Sequence, residues 1–182
     1  MSLPTTKQHE WSRDGFVIST DQTLIDHSSL NKAFASDQLP WATELSSDEL
    51  NVMLSRSICF GLYSATAELA DTQTSSTHHE EHSEDPRPAM IGLARLITDC
   101  TTMAYLTDVY VLPEWRGRGL GSWLVECVKQ WWDLMPSGRR LMLIASEGKR
   151  EEYYAKALSS GRMEDEGGGY RVFTAKGKGV RV

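Results

Sequence analysis

The sequence predicts an α/β domain, and three observations support that prediction. Short apolar runs, typical of buried strands, alternate with segments whose apolar residues recur at helical spacing. A glycine-rich turn joins the apolar segment 103–112 to a long amphipathic helix. The length of 182 residues suits one domain, residues 1–182, with a hydrophobic core of its own.

The elements are predicted in the order strand, two helices, three strands, helix, strand, helix and strand. Apolar or alternating segments place the strands at 15–20, 58–63, 90–97, 103–112, 141–145 and 170–174. Apolar spacing and capping residues place the helices at 24–36, 47–55, 119–134 and 149–158. Pro113 ends its strand because proline has no N–H to donate to a sheet.

The net charge of −6 is concentrated in one polar segment. Residues 66–89 hold six acidic residues and one basic residue, and this Thr-, Ser-, Glu- and His-rich composition predicts a mobile hairpin loop. The segment also contains His78, His79 and His82, but a metal site needs ligands in a fixed geometry, so no metal is expected. No Lys/Arg cluster could neutralise many phosphates, which argues against a nucleic-acid partner.

Apolar runs and cysteines indicate the cellular setting. No run approaches the roughly 20 apolar residues of a membrane helix, so no membrane partner is expected. The chain has an odd number of cysteines, and they are widely spaced: Cys59, Cys100 and Cys127. This favours reduced thiols and a cytoplasmic protein. A nuclear location remains open. A monomer and a homodimer both remain open.

The glycine-rich turn is Arg-Gly-Arg-Gly-Leu-Gly at 116–121. Glycines let the backbone turn tightly and approach a ligand, and the first turn of the next helix presents unpaired N–H groups. Both properties predict a phosphate-binding loop. It is not a Walker loop, because no Gly-Lys-Ser/Thr follows. A dinucleotide fingerprint would need glycine where Ser122 stands, so that interpretation remains a minor alternative.

Residues 109–121, Val-Tyr-Val-Leu-Pro-Glu-Trp-Arg-Gly-Arg-Gly-Leu-Gly, resemble the central motif of the GNAT superfamily of N-acetyltransferases. That motif is a hydrophobic strand, a proline and then (Arg/Gln)-x-x-Gly-x-(Gly/Ala). The order of elements over about residues 14–175 is also similar to the GNAT fold. The resemblance implies a mixed, mostly antiparallel α/β (α+β) sheet in which strands 103–112 and 141–145 splay apart, and acetyl-CoA as the cosubstrate.

The same resemblance implies how the coenzyme binds. Backbone N–H groups of 116–122 would hold the pyrophosphate, and the main chain of 109–111 would pair with pantetheine in the gap between the strands. The Val111 amide is a candidate donor to the thioester oxyanion. The implied coenzyme-binding residues are Val109, Tyr110, Val111, Arg116, Gly117, Arg118, Gly119, Leu120, Gly121 and Ser122.

GNAT enzymes commonly use a tyrosine early in the helix after the splayed strand as general acid for the departing thiolate. In Glu-Glu-Tyr-Tyr-Ala-Lys at 151–156, Tyr154 best matches the family pattern, and Tyr153 takes the apolar position before it. A phenol can donate a proton to sulfur as the intermediate collapses. The alternative is that both tyrosines only pack. The family's following aromatic-Gly-aromatic turn is absent from 157–163.

The attacking amine must lose a proton, since an alkylammonium with a pKa near 10 is mostly protonated at pH 7. Thr107 and Asp108 stand where diamine and polyamine acetyltransferases of the superfamily carry Glu-Asp. Asp108 is therefore expected to anchor a cationic acceptor or to relay its proton; a structural aspartate is the alternative. Glu44 and Glu68 remain open as other bases.

The implied activity is direct acetyl transfer from acetyl-CoA to a primary amine. The first candidate acceptor is a small cationic or aromatic amine. A protein lysine or N-terminus is the second. A non-catalytic acyl-CoA-binding sensor is the alternative from a different functional class.

Overall fold

A computed structural model describes residues 7–37, 39–64, 88–145 and 149–158. Six strands form one sheet whose spatial order follows the chain order. The first five strands pair antiparallel, and the sixth lies parallel to the fifth. This arrangement confirms the predicted mixed, mostly antiparallel α/β fold. The strands are β1 (Glu10–Arg13), β2 (Phe16–Ser19), β3 (Ile58–Ser64), β4 (Ala89–Thr98), β5 (Met103–Val111) and β6 (Arg140–Leu143).

Helices cover both faces of the sheet, and each face has its own hydrophobic core. The helices are α1 (His27–Ala35), α2 (Ser47–Ser55), α3 (Leu120–Trp132) and α4 (Lys149–Leu158). On one face, α3 and the end of α4 pack against the alternate residues of β3, β4 and β5 that point toward them. On the other face, α1 and α2 pack against the residues of the same strands that point the opposite way. Among the helices of the described residues, none is both long and apolar enough to cross a membrane.

Local capping explains where α1 and α2 begin. Asp26 accepts hydrogen bonds from the backbone N–H groups of Ser28 and Ser29, so α1 begins after it. The predicted helix 24–36 was therefore too long at its start, where Gln22–Leu24 forms a separate 3-10 turn. Ser46 and Glu49 form a reciprocal capping box at α2, which fits the predicted helix 47–55.

The main difference from the predicted elements is β1, which was not expected. Its sequence, Glu-Trp-Ser-Arg, is polar, and it forms the outer edge of the described sheet beside β2. A short edge strand has only one neighbour and buries little, so it lacks the apolar pattern that indicates a strand. The predicted strand 170–174 lies outside the described residues, as does the predicted loop 66–89 except for its last two residues.

Candidate active site

The strands β5 and β6 pair only along part of their length. Their register runs from Met103 opposite Arg140 to Leu106 opposite Leu143, and β6 ends there. β5 continues to Val111 without a partner on that side among the described residues. The sheet therefore opens between these two strands, toward the end of β5 that leads into the glycine-rich loop, in agreement with the implied splay.

A cavity of about 280 Å³ occupies this opening. Its walls come from β5 and β6, from Tyr154 of α4 on one face of the sheet, and from Trp41 between α1 and α2 on the other. The cavity therefore passes between the strands and joins the two faces. It is lined by Trp41, Tyr105, Leu106, Thr107, Asp108, Val109, Leu143, Ile144 and Tyr154.

A β-bulge shapes the wall of the cavity at Asp108. Between the pairs Leu93–Tyr110 and Arg95–Thr107, β5 has one residue more than β4. Asp108 takes up this extra length with a left-handed backbone, at φ 51°. A non-glycine residue in that conformation is strained by about 1–3 kcal/mol and persists only where its surroundings hold it.

The surroundings of Asp108 are three hydrogen-bond donors. The Nε atom of Arg95 donates to Oδ2 at 2.6 Å, and Trp41 Nε1 and Thr107 Oγ1 both donate to Oδ1 at 3.2 Å. The carboxylate is buried, and the Arg95 side chain is only 13% exposed. Arg95 also donates from Nη1 to Ser57 Oγ at 3.0 Å. Asp108 thus belongs to a buried ion pair as well as to the cavity wall.

The backbone of the glycine-rich loop is left-handed at two glycines, and the start of α3 that follows it has no side-chain cap. Gly117 and Gly119 have φ values of 78° and 73°, which L-residues adopt only with strain. A Cβ atom at Gly117 would meet no atom within 4 Å, so the space beside it is open. Gly119 is the N-cap of α3, and no side chain caps that end of the helix. The start of α3 thus lacks the side-chain acceptor found at α1 and α2, as expected where a ligand anion binds.

The arginines around the loop are held by neighbouring groups. Arg116 donates from Nε to the carbonyl oxygen of Val111 at 2.9 Å, which ties the loop to the end of β5. The Arg118 guanidinium stacks on the Trp115 ring, 4.9 Å from its centroid. Arg13, the last residue of β1, stacks on Trp123 at 4.6 Å and donates from Nη2 to the Gly119 carbonyl at 3.4 Å. A guanidinium from β1 therefore lies beside the start of α3.

The two tyrosines of α4 occupy different places. Tyr154 lines the cavity, whereas the Tyr153 hydroxyl lies at Ser122 and 3.3 Å from where a Cβ of Gly121 would stand. The two rings meet edge to face at 4.9 Å. Burial raises the pKa of Tyr153 above its usual value, while its hydrogen bond with Ser122 opposes that shift. Tyr153 thus braces the loop against α4, and Tyr154 is the phenol at the gap.

The remaining predicted residues lie as follows. Val109 lines the cavity, Val111 is nearly buried at the end of β5, and Tyr110 points to the opposite face into the α1–α2 core. Glu44 is exposed and does not line the cavity, and Glu68 lies outside the described residues. Within the described ranges, no group of three or more His, Cys, Asp or Glu side chains could hold a metal ion.

The sequence interpretation missed Trp41, Tyr105 and Arg95. Arg95 could have been noticed, because it is a charged residue inside the otherwise apolar strand segment 90–97. A charge in such a position needs a buried partner. Trp41 lies in a connection between helices, and nothing in its local pattern indicates which strand it meets.

Comparisons with known proteins agree with this geometry. Residues 83–157 match the family model described as the acetyltransferase (GNAT) domain. A protein of Gibberella zeae named "putative acetyltransferase" is 38% identical over 178 residues, covering 97% of this chain and 92% of the relative.

Solved structures show the same fold. A GNAT-family protein from Xanthomonas campestris pv. campestris is 25% identical with a TM-score of 0.61, covering 89% of this chain and 96% of that one. Glucosamine-6-phosphate N-acetyltransferase from Arabidopsis thaliana is similar in fold, with 14% identity, a TM-score of 0.51, and coverage of 91% and 99%. Sequence match, fold and site geometry therefore lead to one conclusion: the chain belongs to the GNAT family of acetyltransferases.

Proposed function

We propose that this acetyltransferase moves the acetyl group of acetyl-CoA directly to the primary amine of a small molecule. The observation that carries the proposal is the cavity between β5 and β6, which is lined by Tyr154 and lies beside the part of β5 that runs on toward the glycine-rich loop. At about 280 Å³ it is near the lower end of the size range of small-ligand pockets. It suits the end of a pantetheine arm together with a small acceptor.

The coenzyme half of the proposal rests on the loop and the unpaired part of β5. The open space at Gly117 and the uncapped start of α3 suit a pyrophosphate. The backbone of Val109 and Val111, beyond the last pairing with β6, can pair with the amides of pantetheine. The thioester carbon would then lie in the cavity, with the Val111 amide as the proposed oxyanion donor.

The chemical half assigns one role to Tyr154. The neutral amine nitrogen attacks the thioester carbon, and the resulting tetrahedral intermediate collapses with cleavage of the C–S bond. Tyr154 donates its hydroxyl proton to the departing sulfur, and the proton lost by the new amide nitrogen passes to water. Asp108 lies in the same cavity wall and forms a buried ion pair with Arg95. A role for Asp108 in accepting a proton stays a prediction.

The test combines ligand-induced stabilisation with turnover. Acetyl-CoA at 100 times its Kd should stabilise the fold by about 2.7 kcal/mol, whereas NAD should leave the melting temperature unchanged. Release of CoA thiol should then require an amine, and mass spectrometry should find one added acetyl group on it. The amine panel should contain an arylalkylamine, a polyamine and a lysine peptide.

Three outcomes would contradict the proposal. Stabilisation by acetyl-CoA without turnover on any amine would identify a sensor. Turnover on the peptide alone would identify a protein acetyltransferase. Stabilisation by NAD and not by acetyl-CoA would indicate that the glycine-rich loop binds a dinucleotide.

A further inference from the structure

The Asp108 carboxylate lies in the cavity wall, but most of its capacity to accept hydrogen bonds is already used by donors of the protein. One oxygen accepts from Arg95, and the other accepts from both Trp41 and Thr107. Three protein donors thus engage the two carboxylate oxygens, and little of this buried carboxylate is left to contact an incoming amine.

Arg95 holds the carboxylate from within the fold. It lies on β4 and bonds to Ser57 Oγ, and the Ser57 hydroxyl in turn donates to the carbonyl of Met53 at 2.8 Å. This chain of contacts links the end of α2 through β4 to the bulge in β5. The charge of Asp108 is thus neutralised from the protein side and is not left for a substrate.

Trp41 is the part of this network that faces outward. Its side chain lines the cavity, the residue is 42% exposed, and its indole N–H donates to Asp108 Oδ1 at 3.2 Å. A large exposed aromatic ring normally has several orientations available. The hydrogen bond to a buried, immobile carboxylate selects the one in which the indole forms a wall of the cavity.

The other described lining residues are apolar or carry a hydroxyl group. Leu106, Val109, Leu143 and Ile144 are aliphatic, and Tyr105, Thr107 and Tyr154 add hydroxyls. Among these described lining residues, Asp108 is the only acid, and it is ion-paired. A second ammonium group on the acceptor would find no unpaired carboxylate on these walls and would lose its hydration there.

We infer that Asp108 is a positioning residue that fixes the Trp41 indole, and that the acceptor is a monoamine carrying an aromatic or other flat apolar group, rather than a polyamine. This inference rests on the proposed transfer to a small amine and specifies its substrate class. The apolar group would lie against the indole, which places the neutral amine near the thioester. Aromatic stacking and apolar burial, not charge, would then select the acceptor.

The first test measures selectivity in the unmodified protein. kcat/KM is compared for phenethylamine and for spermidine with saturating acetyl-CoA. We expect kcat/KM to be about tenfold or more higher for phenethylamine than for spermidine. Phenethylamine gains one aromatic contact and does not have to desolvate a second ammonium group. A preference for spermidine overturns the inference and leaves the proposed function standing. Absence of transfer to every amine overturns both.

The second test changes the wall. Trp41→Ala should raise the KM for phenethylamine by about tenfold and bring the selectivity over spermidine toward one, with the acetyl-CoA affinity unchanged. Trp41→Phe keeps a ring but removes the N–H that binds Asp108, so it should lose part of the selectivity. Val52→Ala, at an exposed residue of α2 outside the cavity, is the matched control. Selectivity unchanged in Trp41→Ala would contradict the inference.

The third test separates positioning from proton transfer. Asp108→Asn keeps the shape, tolerates the left-handed backbone and can still accept from Trp41, but it cannot act as a base at neutral pH. For a positioning residue, kcat should fall by less than about tenfold with the pH profile of kcat unchanged. If Asp108 were a general base, its replacement would lower kcat by about 10²–10⁴-fold and would remove the acidic limb of the pH profile of kcat. That larger loss, in a variant shown to be folded by circular dichroism, overturns the positioning role.

Discussion

Gly119 stands where the loop backbone turns left-handed and α3 begins. A valine there would be strained at φ 73° and would place a branched side chain where the phosphate approaches the backbone. We predict that Gly119→Val abolishes acetyl-CoA binding, measured by calorimetry, while the protein stays folded.

A matched variant separates strain from the loss of the site. Gly15, in the β1–β2 turn, has a φ of 79° and also has open space around its Cβ position. Gly15→Val should therefore lower the melting temperature to a similar extent but leave acetyl-CoA affinity near normal. Equal loss of affinity in both variants, or near-normal affinity in Gly119→Val, would show that the site assignment is wrong.

Tyr154 is the sharpest test of the chemistry. Tyr154→Phe keeps the ring that packs at the cavity and removes the hydroxyl, which is the proposed proton donor. Because general acid catalysis contributes about 10²–10⁴-fold, kcat should fall by that factor, with the acetyl-CoA affinity little changed. A loss confined to kcat indicates an interaction made in the transition state. The alkaline limb of the pH profile of kcat should also flatten.

Tyr153 provides the control for Tyr154. Its hydroxyl bonds to Ser122 instead of facing the cavity, so Tyr153→Phe should retain kcat and weaken coenzyme binding only modestly. If Tyr153→Phe loses kcat and Tyr154→Phe does not, the proton donor has been assigned to the wrong tyrosine.

The turn of the glycine-rich loop could be predicted because its signal is local. Three glycines within five residues, next to a strand and a helix, indicate the turn from the chain alone, while its ligand stays a prediction. The contacts of Asp108 could not be predicted in the same way. Its partners Arg95 and Trp41 are 13 and 67 positions away, and only the register of β4 on β5 and the path between α1 and α2 bring them together.

At the scale of the elements, the bulge in β5 depends on the ion pair that it buries. Removing Arg95 leaves the Asp108 charge buried without its counter-charge, which typically costs about 3–5 kcal/mol. We predict that Arg95→Met lowers the free energy of unfolding by about that amount, measured by urea denaturation.

Removing the orphaned charge should restore part of the loss. In the double variant Arg95→Met, Asp108→Asn, the buried group is neutral, and asparagine tolerates the left-handed backbone. The double variant should therefore be more stable than Arg95→Met alone. Asp108→Asn alone completes the cycle. If the loss of stability in the double variant equals the sum of the losses in the two single variants, the pair is not coupled and the bulge is held by other contacts.

Helices were easier to predict than strand details. The apolar period of α3 extends over its whole length, so its existence and its buried face follow from the sequence. The bulge leaves no comparable trace. Next to it along β4 is Gly92, where a Cβ would come 2.7 Å from the Tyr110 carbonyl oxygen. A single glycine in a strand does not reveal which neighbour approaches it.

At the scale of the whole molecule, the two cores contain thiols that the fold protects from ionisation. Burial raises the pKa of Cys59 and of Cys127 to about 12 each. In the unfolded chain, a thiol has a pKa of about 8.5. Below that pH both states keep the proton, and between about pH 9 and 12 only the unfolded state loses it. The free energy of unfolding should therefore fall as the pH rises through this range, by up to about 1.4 kcal/mol per pH unit for each thiol.

The measurement is urea denaturation at pH 8, 9 and 10. Cys127→Ala should give a shallower decline between pH 9 and 10 than the unmodified protein, whatever its stability at pH 8. The control is Cys100→Ala, at a partly exposed thiol in the β4–β5 turn, which should change the slope less. Equal slopes in all three proteins would contradict the linkage.

The fold class could be predicted because the order of strands and helices, joined to the loop motif, admits few arrangements. The two-core arrangement depends on which side chains of each strand face which helices, and this follows from pairing register. Register is a property of strand pairs and is fixed by contacts far apart in sequence.

The opening between β5 and β6 joins the two faces of the sheet, with Tyr154 on one side and Trp41 on the other. In the proposed transfer, acetyl-CoA and the amine would then approach from opposite faces and be present together, so that neither would have to leave before the other arrives. No side chain needs to carry the acetyl group between them. Initial rates should therefore follow a sequential mechanism, with intersecting rather than parallel double-reciprocal lines, and the enzyme should never be isolated in an acetylated form.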